Sequence, residues 1–332
     1  MKCIKCGTYN YLIDRRINSD RCKRCHYRFV FESTTINGVK ITDAMFAKAI
    51  ADISVNDTLF FTSQQLCYFF GKQFKQKIPK PRRIYHLDGH QTYNKAQTFS
   101  INFNQCQSCI NQWKAINPIA KMLPPPRDLN ASAAVSPDVS AYSFDRLVVC
   151  DRPEIAQFLI ANNFHFENNC AVLSITGYPQ NIFDTTMEML RRNPDLKVYA
   201  LHDCTPRGIG LVDHLRTSPN WFSHSSAIII DIGILPRQII AAGDNIFVLS
   251  SESSARDAVQ LSPAIRQDLS AEELEWLDLG NYVELESFSP QKLIQILNRG
   301  IAGSRDLGSD DSSLILLGGT DDSSIYVVDS FG

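Results

Sequence analysis

The chain has 332 residues, of which 44% are hydrophobic and 20% charged, and its formal net charge is −2. This composition is typical of a soluble globular protein with two or three domains. No apolar run reaches about 18 residues, which excludes a transmembrane helix, and the first residues lack the apolar core of a signal peptide. We therefore expect a cytoplasmic protein without membrane contact, in which reducing conditions favour metal-bound cysteines over disulfides.

The two ends of the chain carry opposite charge. Residues 1–95 contain 17 Lys and Arg against 7 Asp and Glu, whereas the rest of the chain contains 16 against 28. A basic front half joined to an acidic rear half suggests an arm that binds a polyanion. Two solvated surfaces of opposite sign are the alternative.

Residues 1–36 carry the strongest metal signature. Cys3 and Cys6 form one CxxC pair, Cys22 and Cys25 form a second, and fifteen residues separate the pairs. This spacing is typical of a zinc ribbon, in which four thiolates hold Zn²⁺ tetrahedrally. Because so short a segment buries little apolar surface, we expect the metal to supply the folding energy. A closed Cys₄ site holds shape and does no chemistry.

Residues 37–117 are predicted to form a small helical module. Residues 41–53 have apolar side chains near a 3.6-residue spacing behind Thr42 as N-cap, and a second helix begins near residue 62. Two short helices ahead of a basic segment are compatible with a winged helix. We expect basic residues of the ribbon and of this module to contact DNA phosphates. The candidates are Arg15, Arg16, Lys23, Arg24, Lys72, Lys75, Lys77, Arg82 and Arg83.

A third CxxC pair, Cys106 and Cys109, lacks an evident partner pair. A lone CxxC is a weak metal signal. Conceivable companions in a second metal site are Cys67, Cys150, His86 and His90.

A Pro- and Ser-rich linker at 118–143 is predicted to precede an α/β domain at 144–332. Apolar runs alternate in this domain with helical stretches, which predicts a parallel sheet flanked by helices. Ligands of such sheets bind beyond the carboxyl ends of strands, where Asp203 is expected. The predicted strands are 144–150, 171–177, 197–201 and 227–232, with 245–249 as a candidate fifth and a closing hairpin at 314–328.

Four short motifs of the rear domain carry a family resemblance. They are Val149-Cys150, Thr176-Gly177-Tyr178-Pro179, Asp203-Cys204-Thr205-Pro206-Arg207-Gly208 and Glu284-Leu285-Glu286-Ser287-Phe288. In order and spacing they resemble the Toprim domain of the topoisomerase VI A subunit, which the meiotic double-strand-break transesterases and bacterial anti-plasmid condensin systems share. The resemblance covers residues 145–300 and implies a Toprim-like fold that acts on DNA.

The resemblance also implies a metal site. In the resembled enzymes one Glu and two Asp bind Mg²⁺, and of these only Asp203 is present here. Cys150 stands in place of the Glu and Thr205 in place of the second Asp; a thiol is a poor Mg²⁺ ligand and a hydroxyl carries no charge. The carboxylates that could rebuild part of a Mg²⁺ site are Asp151, Glu154, Glu284 and Glu286, with Asp231 at the end of the fourth strand as another candidate.

Tyr68 matches the DNA-attacking tyrosine that these enzymes carry in a winged helix, although Gln64 replaces the basic residue of that motif. Two functions follow. The first is a DNA-binding protein with a degenerate catalytic site, which acts through phosphate contacts or with a partner chain or as a homodimer. The second is a Mg²⁺-dependent DNA-cleaving enzyme that uses Tyr68 and Asp203. The lost ligands favour the first; a flavodoxin-like interaction domain with a zinc-ribbon adaptor is a third alternative.

Overall fold

A computed structural model describes residues 1–31, 35–36, 39–73, 84–85, 91–92, 102–126, 146–179, 183–184, 186–188, 197–223, 225, 227–242 and 246–303. Four of the predicted phosphate-contacting residues lie outside these ranges, as do two conceivable metal ligands and the predicted closing hairpin. They are Lys75, Lys77, Arg82, Arg83, His86, His90 and residues 314–328.

The chain divides into two compact units, each assembled from separate stretches of sequence. The first unit comprises residues 1–128, 154–164 and 286–293, and the second comprises 129–153, 165–285 and 294–332. The predicted domains, by contrast, are continuous in sequence. The segment predicted as a linker begins inside the first unit, where Leu123 N donates to Phe61 O at 2.8 Å.

The first unit is mainly helical, with two short antiparallel hairpins. Its elements before residue 128 are α1 (Leu12–Ile17), β1 (Thr35–Ile36), β2 (Val39–Lys40), α2 (Asp43–Ile53), α3 (Ser63–Gln73), β3 (Ile84–Tyr85), β4 (Gln91–Thr92) and α4 (Phe103–Lys114). Helix α2 begins behind Thr42, as predicted, and the Thr42 hydroxyl accepts a hydrogen bond from Met45 N at 3.3 Å. The apolar faces of α2, α3 and α4 share one core, in which the Phe46 ring lies 5.4 Å from that of Phe70 and 5.2 Å from that of Trp113.

One cysteine of the third CxxC pair forms a disulfide. Helices α3 and α4 bring Cys67 and Cys106 together with a Cα–Cα distance of 5.7 Å, and their sulfurs form a disulfide. The expectation that cysteines stay reduced is therefore wrong for these two, because packing of the two helices places both sulfurs in one core. Cys109, one helical turn beyond Cys106, is buried and free.

A four-stranded parallel sheet organises the second unit, as predicted. Its strands are β5 (Arg146–Cys150), β6 (Cys170–Ser174), β7 (Lys197–Leu201) and β8 (Ile228–Asp231), in the order β6-β5-β7-β8. Val148 of β5 stands opposite Val172 of β6 and Tyr199 of β7. Strands β5, β6 and β7 are near-continuous apolar runs because both faces of the sheet are covered there, and all five residues of β6 are buried.

The remaining helices follow β5 in the chain and are shared between the two units. They are α5 (Pro153–Ala161), α6 (Phe164–Glu167), α7 (Pro206–Ile209), α8 (Leu211–Thr217), α9 (Pro236–Ala242), α10 (Glu252–Val259), α11 (Pro263–Asp268), α12 (Ala271–Asp278) and α13 (Pro290–Gly303). Leu211 and Leu215 of α8 pack on the core formed by Leu147, Leu173 and Val198 of the strands. In the described part of the chain, no helix has both the length and the apolar character needed to cross a membrane.

The segment predicted as a fifth strand does not join the parallel sheet. Instead β9 (Leu249–Ser250) pairs antiparallel with β10 (Asn281–Tyr282). Beyond β10, Val283 forms an isolated antiparallel bridge with Cys204, just past the end of β7. This bridge brings the Glu284 segment to the carboxyl end of β7.

Candidate functional site

The four ribbon cysteines lie in two turns of matching geometry. Gly7 N donates to Cys3 O at 2.9 Å, and His26 N donates to Cys22 O at 2.9 Å. Gly7 and His26 both have positive φ, 70° and 57° respectively, a conformation that closes a tight turn. Each CxxC pair therefore presents its two sulfurs from one rigid turn.

Asn10 connects the two turns. This side chain is 1% exposed, its Oδ1 accepts from Lys23 N at 2.9 Å, and its Nδ2 donates to Thr8 O at 2.9 Å and to Cys22 Sγ at 3.5 Å. Because a buried amide needs its hydrogen bonds satisfied, these contacts fix one turn against the other.

The four sulfurs converge on one point. They all lie within 4.8 Å of one another, and the Cys3–Cys25 and Cys6–Cys22 sulfur separations are both 3.5 Å. A tetrahedral Zn²⁺ with Zn–S bonds of about 2.3 Å needs sulfur separations of about 3.8 Å. The group can therefore hold a metal ion such as zinc, as its spacing predicts.

Hydrogen bonds prepare one of these sulfurs to act as a thiolate. Burial alone raises the pKa of Cys22, but the backbone N–H groups of Cys25 and Arg24 and the Asn10 amide donate to its sulfur and lower the pKa to about 6. Burial raises the pKa of Cys3 to about 12. A metal ion that binds the group must therefore displace a proton from Cys3, which thiolate ligation commonly requires.

The ribbon's predicted phosphate contacts divide by exposure. Arg16 and Arg24 are exposed and available to a ligand. Arg15 does not fit the prediction, because it is 5% exposed and its guanidinium lies 5.1 Å from the centre of the Phe29 ring. Its Nη2 also lies 3.7 Å from Asp20 Oδ1, so Arg15 is a structural residue of the ribbon.

Two further candidates for phosphate contact already bind other groups of the protein. Lys23 Nζ lies 3.0 Å from Asp14 Oδ2, and Lys72 Nζ donates to Ser287 O at 2.9 Å.

Tyr68, the predicted nucleophile, is 3% exposed. This placement gives no support to an attack of the Tyr68 hydroxyl on DNA.

The carboxyl edge of the parallel sheet brings two acidic residues together. Asp151 directly follows β5, Asp203 follows β7 by two residues, and Asp203 N donates to Asp151 Oδ2 at 2.9 Å. Strands β6 and β7 lie on opposite sides of β5, so the chain connections diverge between β5 and β7. Such a switch point is where open α/β sheets bind ligands.

Protein groups already bind the Asp203 carboxylate. It is 2% exposed, its Oδ1 accepts from Leu285 N at 2.7 Å, and its Oδ2 lies 3.0 Å from Arg152 Nε. Burial raises the pKa of Asp203, and the charges of Asp151 and Glu284 add to this, whereas Arg152 lowers it. The Arg152 guanidinium thus stands where a cation would neutralise Asp203.

The residues after Asp203 have structural roles. The Thr205 hydroxyl caps α7 by accepting from Gly208 N at 2.9 Å, and Pro206 suits the first helical turn. A Cβ on Gly208 would overlap the carbonyl oxygen of Asp203, which explains the glycine. Cys150 is fully buried, and burial raises the pKa of its thiol well above the usual value, so neither Thr205 nor Cys150 acts here as a charged ligand.

An ion pair between a buried imidazole and a partly exposed carboxylate adjoins this edge. His202 is fully buried, its Nε2 lies 3.0 Å from Asp231 Oδ1, and its Nδ1 lies 2.8 Å from Asp203 O. Because both ring nitrogens face acceptors, the geometry suits a doubly protonated imidazolium. Burial lowers the pKa of His202, but Asp231 outweighs burial and raises the pKa to about 9. A Cβ on Gly233 would overlap the imidazole ring.

This ion pair predicts that stability falls as the pH rises. Since the folded-state pKa of His202 (about 9) exceeds the ordinary value of 6.5, the pair stabilises the fold fully below pH 6.5. This stabilisation, about 3 kcal/mol at most, is lost as the pH rises through the folded-state pKa. Urea unfolding across this range measures the loss, and Asp231→Asn should flatten it. Asp203 contributes to the pH dependence of the wild type and of Asp231→Asn alike. Equal slopes of unfolding free energy against pH in the two proteins would therefore contradict the prediction.

The predicted magnesium residues do not form one site. Among the described residues, Cys3, Cys6, Cys22 and Cys25 are the one group of three or more His, Cys, Asp or Glu side chains that can hold a metal ion. Asp151, Asp203 and Glu284 do not converge in this way. Mg²⁺ keeps several water ligands, whereas Asp203 is closed off from solvent. Glu154 lies in the first turn of α5 and belongs to the first unit.

Comparison with known proteins finds no family model that matches the chain and no curated protein with significant similarity to it. The Toprim resemblance therefore depends on the motifs of this chain alone.

Sequence reasoning missed several residues of these sites. Asn10 carries no signature, because a buried connecting amide looks like any loop asparagine. Arg152 directly follows Asp151, and an arginine beside a strand-end carboxylate was the available signal for an internal ion pair. His202 precedes Asp203 at the same strand end, but its partner Asp231 comes from the next strand and only the strand order joins them.

Proposed function

We propose that this chain is a DNA-binding protein whose Toprim-like α/β region does not cleave DNA. The observation that carries the proposal is the state of Asp203. Leu285 N and Arg152 contact its two carboxylate oxygens, and it is almost without solvent access. A guanidinium in this place supplies the neutralising charge that a transesterase takes from Mg²⁺.

The DNA-binding part of the proposal is supported by charge. The front of the chain has the basic excess, and Arg16 and Arg24 stand exposed on a ribbon that four cysteines can fix around a metal ion. Each phosphate contact releases counterions, so binding should weaken steeply as salt is raised. The proposal includes a protein partner or a second copy of the chain that binds the protein while it is bound to DNA.

DNA binding can be tested with a salt series on a duplex. Arg16→Ala and Arg24→Ala should each weaken binding and reduce the slope of log K against log salt by about 1. Arg256→Ala is the matched control, because Arg256 is an exposed arginine of α10 in the second unit. Absence of binding to both duplex and single-stranded DNA at about 50 mM salt would overturn the proposal.

Cleavage is tested with supercoiled plasmid in Mg²⁺ and in Mn²⁺. We expect no nicking by the wild type. Nicking that Tyr68→Phe or Asp203→Asn abolishes would establish the cleaving enzyme instead.

A further inference from the structure

The ribbon exposes a group of large apolar side chains that the proposed phosphate contacts do not use. Tyr9, Tyr11, Leu12, Ile13 and Ile17 are between 60% and 76% exposed and lie within nine residues. Single exposed apolar residues are common, whereas several within so short a segment of a small motif mark a binding surface. We call this set the ribbon patch.

The two tyrosines of the ribbon patch stand on a fixed backbone. Tyr9 pairs with Lys2 in an antiparallel bridge, and Tyr11 N donates to Asp14 Oδ2 at 2.9 Å. Asn10, between the tyrosines, is the buried residue that joins the two cysteine turns. The ring centres are 5.7 Å apart with the planes inclined at 53°, so two aromatic faces are presented side by side without a loop having to order.

The segment that carries the ribbon patch is strongly basic. Residues 1–31 contain eight Lys and Arg and two Asp. Lys23 Nζ lies 5.8 Å from the centre of the Tyr11 ring and pairs with Asp14, which neutralises the carboxylate nearest the rings. Arg16, Arg21 and Arg24 are exposed on the same ribbon. A ligand of this surface must offer flat apolar faces together with negative charge.

We propose that Tyr9 and Tyr11 stack on the bases of single-stranded nucleic acid while exposed arginines of the ribbon contact its phosphates. This rests on the proposed function and names the form of nucleic acid that the ribbon takes. Bases in a duplex are stacked on each other and offer no free face, whereas single strands bind through aromatic platforms beside basic grooves. The aliphatic members of the ribbon patch extend the apolar surface beside the rings.

Fluorescence anisotropy on the full-length, zinc-loaded protein tests the inference. The probes are an oligothymidylate of about 20 nucleotides and a duplex of the same length. Tyr9→Ala with Tyr11→Ala should weaken single-strand binding about 10-fold or more and duplex binding by less than about 2-fold. Tyr9→Phe with Tyr11→Phe keeps both faces and should restore single-strand binding. One metal equivalent in each variant shows that the ribbon is intact.

The outcomes separate this inference from the proposed function. Duplex binding without single-strand binding overturns the inference and leaves the proposed function standing, whereas absence of both overturns both. Single-strand binding that survives the alanine pair, or that is lost instead in Ile13→Ser with Ile17→Ser, also overturns it. The latter result would assign single-strand binding to the aliphatic residues of the ribbon patch instead of its tyrosines.

Discussion

Replacement of Cys22 by serine should release the bound metal and unfold residues 1–31. The ribbon core consists of Cys3, Cys22, Tyr27 and Phe29 with a few partly buried neighbours, which is too little apolar surface to hold a fold without help. Structural zinc supplies about 10–16 kcal/mol in comparable small motifs, and a serine hydroxyl does not replace a thiolate. Metal analysis should fall from one equivalent to none, and limited proteolysis should cut within the ribbon.

Cys109→Ser is the matched control, because Cys109 is also a buried free cysteine but lies on α4, away from the ribbon group. It should keep the metal and the resistance of the ribbon to protease. A Cys22→Ser protein that retains a full metal equivalent, or a metal-free wild type with a protease-resistant ribbon, would contradict the structural role of the metal.

The local parts of the fold could be predicted from the sequence. The four parallel strands were predictable from apolar runs, because a strand buried on both faces is apolar at nearly every position and not at every second one. The helix start at Thr42 was predictable because an N-cap and the backbone group that it binds lie within one turn. The β9–β10 pair was not predictable, because it joins two-residue segments about thirty residues apart that have no pattern of their own.

The candidate sites divide in the same way. The Cys₄ group was predictable because two tight CxxC turns fix most of its geometry locally. The alternation of strands and helices predicted that Asp203 lies at a strand end, but it did not predict which groups bind the Asp203 carboxylate. The Leu285 N–H that binds it comes from 82 residues further along the chain, and a backbone donor leaves no trace in the sequence. The motif suggested a metal site, whereas the packing shows an ion pair with Arg152.

The second large effect concerns this ion pair. Asp203→Ala removes the acceptor of the buried Leu285 N–H and the partner of Arg152, so it should destabilise the protein by about 3–5 kcal/mol. Asp203→Asn keeps a carbonyl oxygen for the Leu285 N–H and, because burial raises the pKa of Asp203, removes a charge that the site only partly tolerates. It should therefore be at least about 2 kcal/mol more stable than the alanine variant, as measured by urea unfolding.

The stability of the wild type relative to Asp203→Asn should change with pH in a known direction. An acid whose folded-state pKa is raised binds more protons in the folded state, so the wild type loses stability as the pH rises above the ordinary value of 3.8. Asparagine does not titrate, so the stability difference between the wild type and Asp203→Asn should shrink as the pH rises.

If Mg²⁺ instead raises the melting temperature of the wild type and Asp203→Asn abolishes that rise, Asp203 is a metal ligand. The catalytic hypothesis would then replace the closed ion pair, because only an open carboxylate can exchange Arg152 for a hydrated cation.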